Sequence, residues 1–371
     1  MMAGVKATIK LAWYYKIIAL AALLVLAAVL ILPACSTSYT LKGDSRPLHH
    51  TDQGFRNLYV EKKESSFFDF QKMRFFGEEK WADYEGQGNL VESVKVDIQQ
   101  LRNPADSPQF TWIGHATVLV QYQGVNILTD PIFGQRASPF SFVGPKRATQ
   151  PAITIAQLPE IDFVLISHNH YDHLDQYSVE RIGNTATWLV PLGYKNWFKD
   201  LGVSKVIEFD WWDERKIGVT HITATPSQHW TARGMNDRYQ QLWAAWSVQI
   251  GDLKFWFAGD TGYNDKQFVE IGKRLGPFDL AMIPIGGYAP RWFMQDMHVN
   301  PEEALQIHHD IKATLSLGIH WGTFPLTAEP IDEPLKKLLE ATASLKETAF
   351  ITTPLGKTTT LELDNTIAQK K

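Results

Sequence analysis

The feature that most constrains this chain is a short run of histidines and carboxylates directly behind the apolar residues 163–166. His168 and His170 are two positions apart, so in an extended segment both imidazoles point to one side and can bind one metal ion. Asp172 and His173 lie just beyond and can reach a second ion. Two adjacent ions would permit metal-assisted hydrolysis. The alternative is a polar loop with chance histidines, which the H-x-H-x-D-H spacing after a strand disfavours.

Three further candidate ligands, His229, Asp260 and His320, each follow a strand-like apolar run later in the chain. Ligands presented at the ends of successive strands can converge on one cleft, as they do in layered α/β folds. Each of these residues alone has an ordinary structural explanation. Their recurrence behind strands is what favours a shared site.

Two residues near the start of the globular part can be interpreted in two ways. Residues 110–131 predict a hairpin closed at Gln123-Gly124. Asp130, at the end of its second strand, either orients a metal-binding histidine or simply ends the strand. His115 follows a glycine and either lines the site or is a structural histidine.

A helix is predicted to begin after Val299. Asn300 can serve as its N-cap, Pro301 suits the first helical position, and Glu303 completes a capping box. His298 therefore lies on the loop before the helix, where it could overlook the metal site.

The first 35 residues are interpreted as a targeting segment. Three lysines precede the uncharged apolar run 17–32, which is longer than the core of a typical secretory signal and slightly short for a transmembrane helix. Residues 32–36 resemble a bacterial lipobox, and Cys35, the only cysteine of the chain, would carry the lipid. We therefore predict a membrane-associated protein of the bacterial envelope, held as a lipoprotein or by an uncleaved anchor. A buried structural cysteine is the remaining alternative.

The rest of the chain is divided into an aromatic-rich arm or linker, residues 36–109, and one hydrolase domain, residues 110–371. The arm carries no catalytic signal; it is expected to wrap over the domain or, in part, to lie on a membrane surface. The net charge of -4 means that the chain has no excess of positive charge, which argues against a nucleic-acid partner.

Together these motifs resemble the metallo-β-lactamase superfamily, and in particular its branch of N-acyl-phosphatidylethanolamine-hydrolysing phospholipases D. The resemblance implies an α/β fold of the metallo-β-lactamase type, a four-layer αβ/βα sandwich, behind an N-terminal membrane-targeting segment. The matching stretches are residues 112–117, 129–133, 144–147, 166–175, 225–230, 258–263, 290–294, 301–304 and 319–324.

The resemblance also implies two zinc ions and a role for each site residue. His168, His170 and His229 would hold one ion, Asp172, His173 and His320 the other, with Asp260 bridging both at the catalytic centre and His298 orienting the phosphate or assisting the leaving group. Nitrogen and oxygen ligands without thiolate independently suit zinc, with iron or manganese as alternatives.

The implied reaction hydrolyses N-acyl-phosphatidylethanolamine to N-acylethanolamine and phosphatidic acid through a metal-bridging hydroxide. The substrate is a membrane phospholipid, so an N-terminal anchor at the membrane surface would raise its effective concentration. Trp292, Phe293 and Met294 would form an apolar lip for acyl chains or pack in the core. The family further suggests a homodimer.

Two alternative functions stay open. One is a metallohydrolase of the same fold with a soluble substrate, such as a sugar-phosphate lactonase or another phosphodiesterase. The other is a non-catalytic envelope lipoprotein with a structural metal site, although such sites usually need four ligands rather than the larger set found here.

Overall fold

The computed structural model describes residues 46–60, 67–343, 345 and 349–363. The predicted targeting segment 1–35, including Cys35, lies outside these residues. Among the helices of the described part, none is both long enough and apolar enough to span a bilayer.

A short hairpin in the arm pairs β1 (His50–Thr51) with β2 (Gly54–Phe55). The strands of the first large sheet are β3 (Gln109–Gly114), β4 (Thr117–Tyr122), β5 (Val125–Thr129), β6 (Phe163–Leu165), β7 (Thr187–Pro191), β8 (Val206–Phe209) and, from the C-terminal end, β16 (Thr358–Thr360). The strands of the second are β9 (Glu214–Ile217), β10 (Thr220–Thr225), β11 (Ala245–Ile250), β12 (Leu253–Phe257), β13 (Phe278–Pro284), β14 (Ala313–Ile319) and β15 (Phe350–Ile351).

The spatial orders are β16-β3-β4-β5-β6-β7-β8 and β15-β14-β13-β12-β11-β10-β9. Pairing is parallel from β5 to β8 and from β12 to β15, and antiparallel elsewhere in the two sheets. The helices are α1 (Phe67–Phe76), α2 (Ile98–Arg102), α3 (Gln176–Ile182), α4 (Lys195–Asp200), α5 (Gln267–Arg274), α6 (Arg291–Met294), α7 (Pro301–Asp310) and α8 (Glu333–Thr342), with short 3-10 turns at Gly88–Leu90, Ile155–Gln157 and Gly183–Thr185.

Strand β6 illustrates why the sheets pack face to face. Phe163 and Leu165 join the core that contains Trp246 of the second sheet, whereas Val164 packs in a separate core with Val179 of α3. Successive side chains of a strand alternate between faces, so a strand that is apolar at every position needs cover on both sides. Helices supply the outer cover, and the four-layer αβ/βα sandwich that the resemblance implies is confirmed.

The predicted hairpin is also confirmed. Strands β4 and β5 pair antiparallel, and Gln123 and Gly124 between them have φ values of 49° and 75°. The first strand-like stretch splits into β3 and β4, because Gly114 and His115 turn the chain with φ values of 139° and 53°. Only glycine adopts the first of these values without strain.

Helix α7 begins as predicted. The Asn300 side chain accepts a hydrogen bond from Glu303 N, the Glu303 carboxylate accepts one from Asn300 N, and Pro301 is the first helical residue. His298 therefore lies just ahead of this helix, as the sequence indicated.

The described part of the arm packs on the domain. Trp81 Nε1 donates to Pro325 O at 2.9 Å, and the Tyr84 hydroxyl donates to Glu329 O at 3.0 Å. The division at residues 36–109 and 110–371 stays a prediction, although these contacts agree with an arm wrapped over the domain.

Candidate metal centre

The candidate ligands lie at one edge of the sandwich, just beyond strand ends. The motif containing His168 follows β6, His229 lies beyond β10, Asp260 follows β12, and His320 directly follows β14. Because these strands run in the same direction within their sheets, their carboxyl ends open into one cleft.

Three histidines converge at one end of the cleft. His170 Nδ1 lies 2.9 Å from His168 Nε2 and 3.2 Å from His229 Nε2. All three are candidate ligands for a single ion, since one ligand atom from each lies within 4.8 Å of the others. This is the set that the family pattern groups around the first ion.

A second cluster forms around Asp172. Its Oδ2 lies 3.2 Å from His320 Nε2 and 3.3 Å from His173 Nε2. His115, which the sequence left undecided, also belongs here, because its Nε2 lies 3.0 Å from the same oxygen. In the sequence, the glycine before His115 was the only local feature that indicated a position at the site.

Asp260 lies between the two clusters. Its Oδ2 is 3.2 Å from His173 Nε2 and 3.3 Å from His320 Nε2 on one side, and 3.8 Å from His229 Nε2 on the other. His298 faces the same oxygen, with Nδ1 at 3.8 Å. One carboxylate can therefore contact ions in both clusters, as a bridging ligand would.

Several of the imidazoles are oriented by hydrogen bonds to the ring nitrogen that faces away from the cleft. Asp130 Oδ2 accepts a 2.6 Å hydrogen bond from His173 Nδ1, so of its two readings the structure supports the orienting role. His229 Nδ1 donates to Met297 O at 2.9 Å. His168 Nδ1 donates to Ser167 Oγ at 2.9 Å. In each ring the second nitrogen is left for the cleft.

The clusters fit divalent metal ions. Asp260 Oδ1 is buried, and no other group of the described residues forms a hydrogen bond with it. A buried polar atom without a partner costs free energy, so this carboxylate oxygen among converging imidazoles indicates a ligand that would bind it. Imidazole and carboxylate donors are the types that bind zinc, iron and manganese.

The protonation states agree with this assignment. Burial, reinforced by neighbouring imidazoles, lowers the pKa of His168 well below its ordinary value and the pKa of His229 to about 3. These rings are neutral at pH 7, which is the form that binds metals. Burial would raise the pKa of Asp260, but His173 and His320 outweigh burial and hold it well below its ordinary value.

In the second cluster, by contrast, the pKa values of His320 and His173 are raised. Burial alone would lower the pKa of His320, but the carboxylates of Asp260 and Asp172 outweigh it and raise that pKa to about 9. The pKa of His173 is likewise raised, by Asp260, Asp172 and Asp130. A divalent cation could take the place of these protons among the carboxylates.

Three of these residues also have strained backbones. His115, Asp130 and His320 have φ values of 53°, 28° and 61°, in the region that favours glycine. Such positions cost about 1–3 kcal/mol each and persist where the surrounding structure imposes them, commonly at functional sites.

Comparison with known proteins agrees with the geometry. The family model described as Beta-lactamase superfamily domain matches residues 125–321. The N-acyl-phosphatidylethanolamine-hydrolyzing phospholipase D 1 of Caenorhabditis elegans is 46% identical over 263 residues, which cover 67% of this chain and 74% of that protein. The mitochondrial N-acyl-phosphatidylethanolamine-hydrolyzing phospholipase D of Saccharomyces cerevisiae is 39% identical, covering 62% of this chain and 50% of its own length.

Among solved structures, the isothiocyanate hydrolase from Delia radicum gut bacteria aligns with a TM-score of 0.57 and 18% identity, over 69% of this chain and all of that one. At this identity the likeness concerns the fold alone. The fold, the clustered histidines and carboxylates, and the similarity to named relatives lead to one conclusion: the chain is a metal-dependent hydrolase that belongs to the beta-lactamase superfamily.

Proposed function

We propose that this protein hydrolyses N-acyl-phosphatidylethanolamine to N-acylethanolamine and phosphatidic acid, as a phospholipase of the D type. The observation that carries the proposal is a site with two ligand clusters on either side of Asp260, in a chain 46% identical to a relative whose name states this activity. Two adjacent metal positions suit phosphodiester hydrolysis in particular, since both the attacking and the leaving oxygen need stabilisation.

We further propose that the ions are two zinc ions, with iron or manganese as alternatives. The clusters offer only nitrogen and oxygen atoms, and buried imidazoles predominate. When bound, such ions lower the pKa of water and neutralise negative charge on phosphoryl oxygens.

The residues around the ions would bind and orient the substrate. His298 has a side chain 13% exposed at the edge of the centre, and burial lowers its pKa to about 3. A neutral imidazole there can hydrogen-bond a phosphoryl oxygen and orient the scissile bond. Trp230 lies against His170, with 4.3 Å between the ring centroids, and so restricts the orientation of that ring.

The direct test uses vesicles that contain N-acyl-phosphatidylethanolamine. Purified protein of known metal content is expected to release N-acylethanolamine, and chelation is expected to abolish the release because the ions activate the water. Readdition of zinc should restore it. A protein that carries metal and cleaves a soluble phosphodiester or a sugar-phosphate lactone, but leaves the lipid intact, would overturn the lipid assignment and support the soluble-substrate alternative.

We also propose that the protein works at a membrane surface, and that the exposed side chains of Phe75, Phe76 and Trp292 act there together as an aromatic patch. These side chains are 66%, 84% and 63% exposed, so for Trp292 core packing was the wrong alternative. Their helices, α1 and α6, meet where Phe70 lies against Phe293, with 6.4 Å between the ring centroids. Exposed aromatic side chains suit the interface between water and lipid.

A second prediction concerns the aromatic patch. Replacing Phe75 and Phe76 with serine removes two apolar groups, each worth about 1.5–3 kcal/mol on burial, so hydrolysis of vesicle lipid should fall at least about tenfold. Turnover of a soluble phosphodiester should not change. Leu339→Ser, at a 60% exposed position on α8, is the matched control. Equal losses on both substrates would argue against membrane contact by the patch.

The bacterial-envelope location and the homodimer remain proposals. They rest on the predicted targeting segment and on the family resemblance.

A further inference from the structure

The arm reaches the metal centre through Asn57. Its side-chain Nδ2 donates to His229 O at 2.9 Å, and its Oδ1 accepts a hydrogen bond from His229 N at 3.1 Å. One amide therefore binds both backbone polar groups of a candidate metal ligand. The residue lies outside the segment that matches the family model, residues 125–321.

His229 depends on such support because it lies beyond the end of β10, where no strand partner holds its backbone. Its ring is oriented by Met297 O, which accepts from Nδ1 at 2.9 Å, and the preceding residue is held by Gln228 N donating to Thr261 Oγ1 at 2.9 Å. Asn57 supplies the hydrogen bonds of the His229 peptide groups themselves. A displacement of about 1 Å at a catalytic site can lower the rate about 10²-fold. The position that these two hydrogen bonds give to His229 is therefore important for activity.

The β1–β2 hairpin that precedes Asn57 is itself anchored at its base. His49 Nε2 and His50 Nε2 bind the two carboxylate oxygens of Asp210 at 2.6 and 2.7 Å. Burial would raise the pKa of Asp210, but these hydrogen bonds outweigh it and hold that pKa below its ordinary value. The His49 ring also stacks on Trp211, with 4.3 Å between centroids. The carboxylate therefore ties the base of the hairpin to the end of β8.

The second strand of the hairpin, β2, is packed as tightly. Phe55 N donates to Tyr239 O at 2.8 Å. Gly54 has a φ of 141°, and a Cβ atom at this position would lie 2.1 Å from the same carbonyl oxygen. A larger residue at position 54 would therefore displace the hairpin without touching Asn57 or any candidate ligand.

From these contacts we propose that the hairpin is a structural part of the metal centre: Asn57 is a positioning residue that holds His229, and the Asp210 anchor keeps Asn57 in place. The inference rests on the proposed role of His229 as a metal ligand. It also revises the expectation that the arm carries no catalytic signal. Because the arm follows the predicted membrane-targeting segment, the first element of the described residues after that segment supports the site directly.

The test measures metal binding and backbone protection in the full-length protein. Asn57→Ala should speed zinc loss to a chelator from the position that includes His229 by about 10–100-fold, the usual effect of losing a residue that orients a ligand. Cobalt substituted at that position should show an altered visible spectrum, and the His229 amide should lose protection from hydrogen exchange. Asn57→Asp keeps the acceptor for this amide, so it should weaken metal binding while the amide stays protected.

Gln53→Ala, an exposed position on the same hairpin, is the control and should change none of these readouts. If Asn57→Ala leaves zinc loss, the cobalt spectrum and amide protection as in wild type, the positioning role is overturned. A fall in melting temperature without a selective effect at one metal position would also overturn it, because that result describes a merely structural residue.

The anchor is tested by Asp210→Asn, which removes the charge that His49 and His50 bind, and the position of the hairpin is tested separately by Gly54→Ala. Either should accelerate zinc loss from the same position as Asn57→Ala does. In the double variant the two effects should not add, since both act through one pair of hydrogen bonds. Full additivity would contradict the anchor. None of these readouts needs a lipid. A protein that binds metal but is inactive on N-acyl-phosphatidylethanolamine would therefore refute the proposed function without contradicting this inference.

Discussion

Asp260→Asn is expected to reduce hydrolysis at least about 10³-fold and to lower the metal content of the purified protein. Asp260 Oδ2 lies within 3.3 Å of His173 and His320 and within 3.9 Å of His168 and His229, so this oxygen faces both clusters. Asparagine keeps the shape but removes the negative charge. Two cations would then share a site with one carboxylate fewer, and both affinities should fall.

The measurement combines metal analysis with turnover of a soluble phosphodiester, so it does not depend on the lipid assignment. Asp279→Asn is the matched control. Asp279 is a partly buried carboxylate at the start of β13, at the end of that strand away from the cleft, where it accepts a hydrogen bond from Lys254 N. An Asp260→Asn protein with full metal content and more than a tenth of wild-type turnover would refute the bridging role.

Asp130→Asn should destabilise the metal-free protein by about 3–5 kcal/mol, because it removes one partner of a fully buried ion pair. Asp130 binds His173 Nδ1 at 2.6 Å, Ser167 N at 2.7 Å and Ser167 Oγ at 2.5 Å. Burial raises the pKa of this carboxyl, while His173 and Ser167 act in the opposite direction and favour the ionised form. An asparagine can replace the hydrogen-bonding shape but not the charge beside His173.

Guanidinium unfolding of metal-free protein measures this loss, and chelator competition measures the accompanying effect on metal binding, expected to be about 10–100-fold. Ser167→Ala removes one hydrogen bond to Asp130 and one from His168 but leaves the ion pair, so it should cost less, about 1–3 kcal/mol. Wild-type stability in Asp130→Asn would mean that the carboxylate does not stabilise His173.

Local sequence patterns predicted much of this molecule. The start of α7 at Pro301 follows from three neighbouring residues that complete a cap, so no distant contact is needed to place it. The same holds for the turn at Gln123 and Gly124, where both residues adopt positive φ values. His168 and His170 belong to one segment, and their convergence follows from its backbone alone.

Other features depended on contacts between distant parts of the chain. The sequence left two interpretations of Asp130 open, and only its hydrogen bond with His173 distinguishes between them. His115 joins the second cluster because its carbonyl accepts a hydrogen bond from His320 N, which ties two distant turns together. Its unusual φ value cannot be read from residue type, since histidine seldom adopts it.

Sequence by itself therefore determined the candidate ligands, because ligand spacing behind strand-like runs is a property of short segments. The fold and the family were predicted from the resemblance of these motifs to a known family. Tertiary structure alone decided what holds those ligands in place. Asn57 and His229 are 172 positions apart, and no pattern in either segment indicates the other. Such a contact arises only when the arm docks on the sandwich, so its place at the metal centre was visible only in the folded chain.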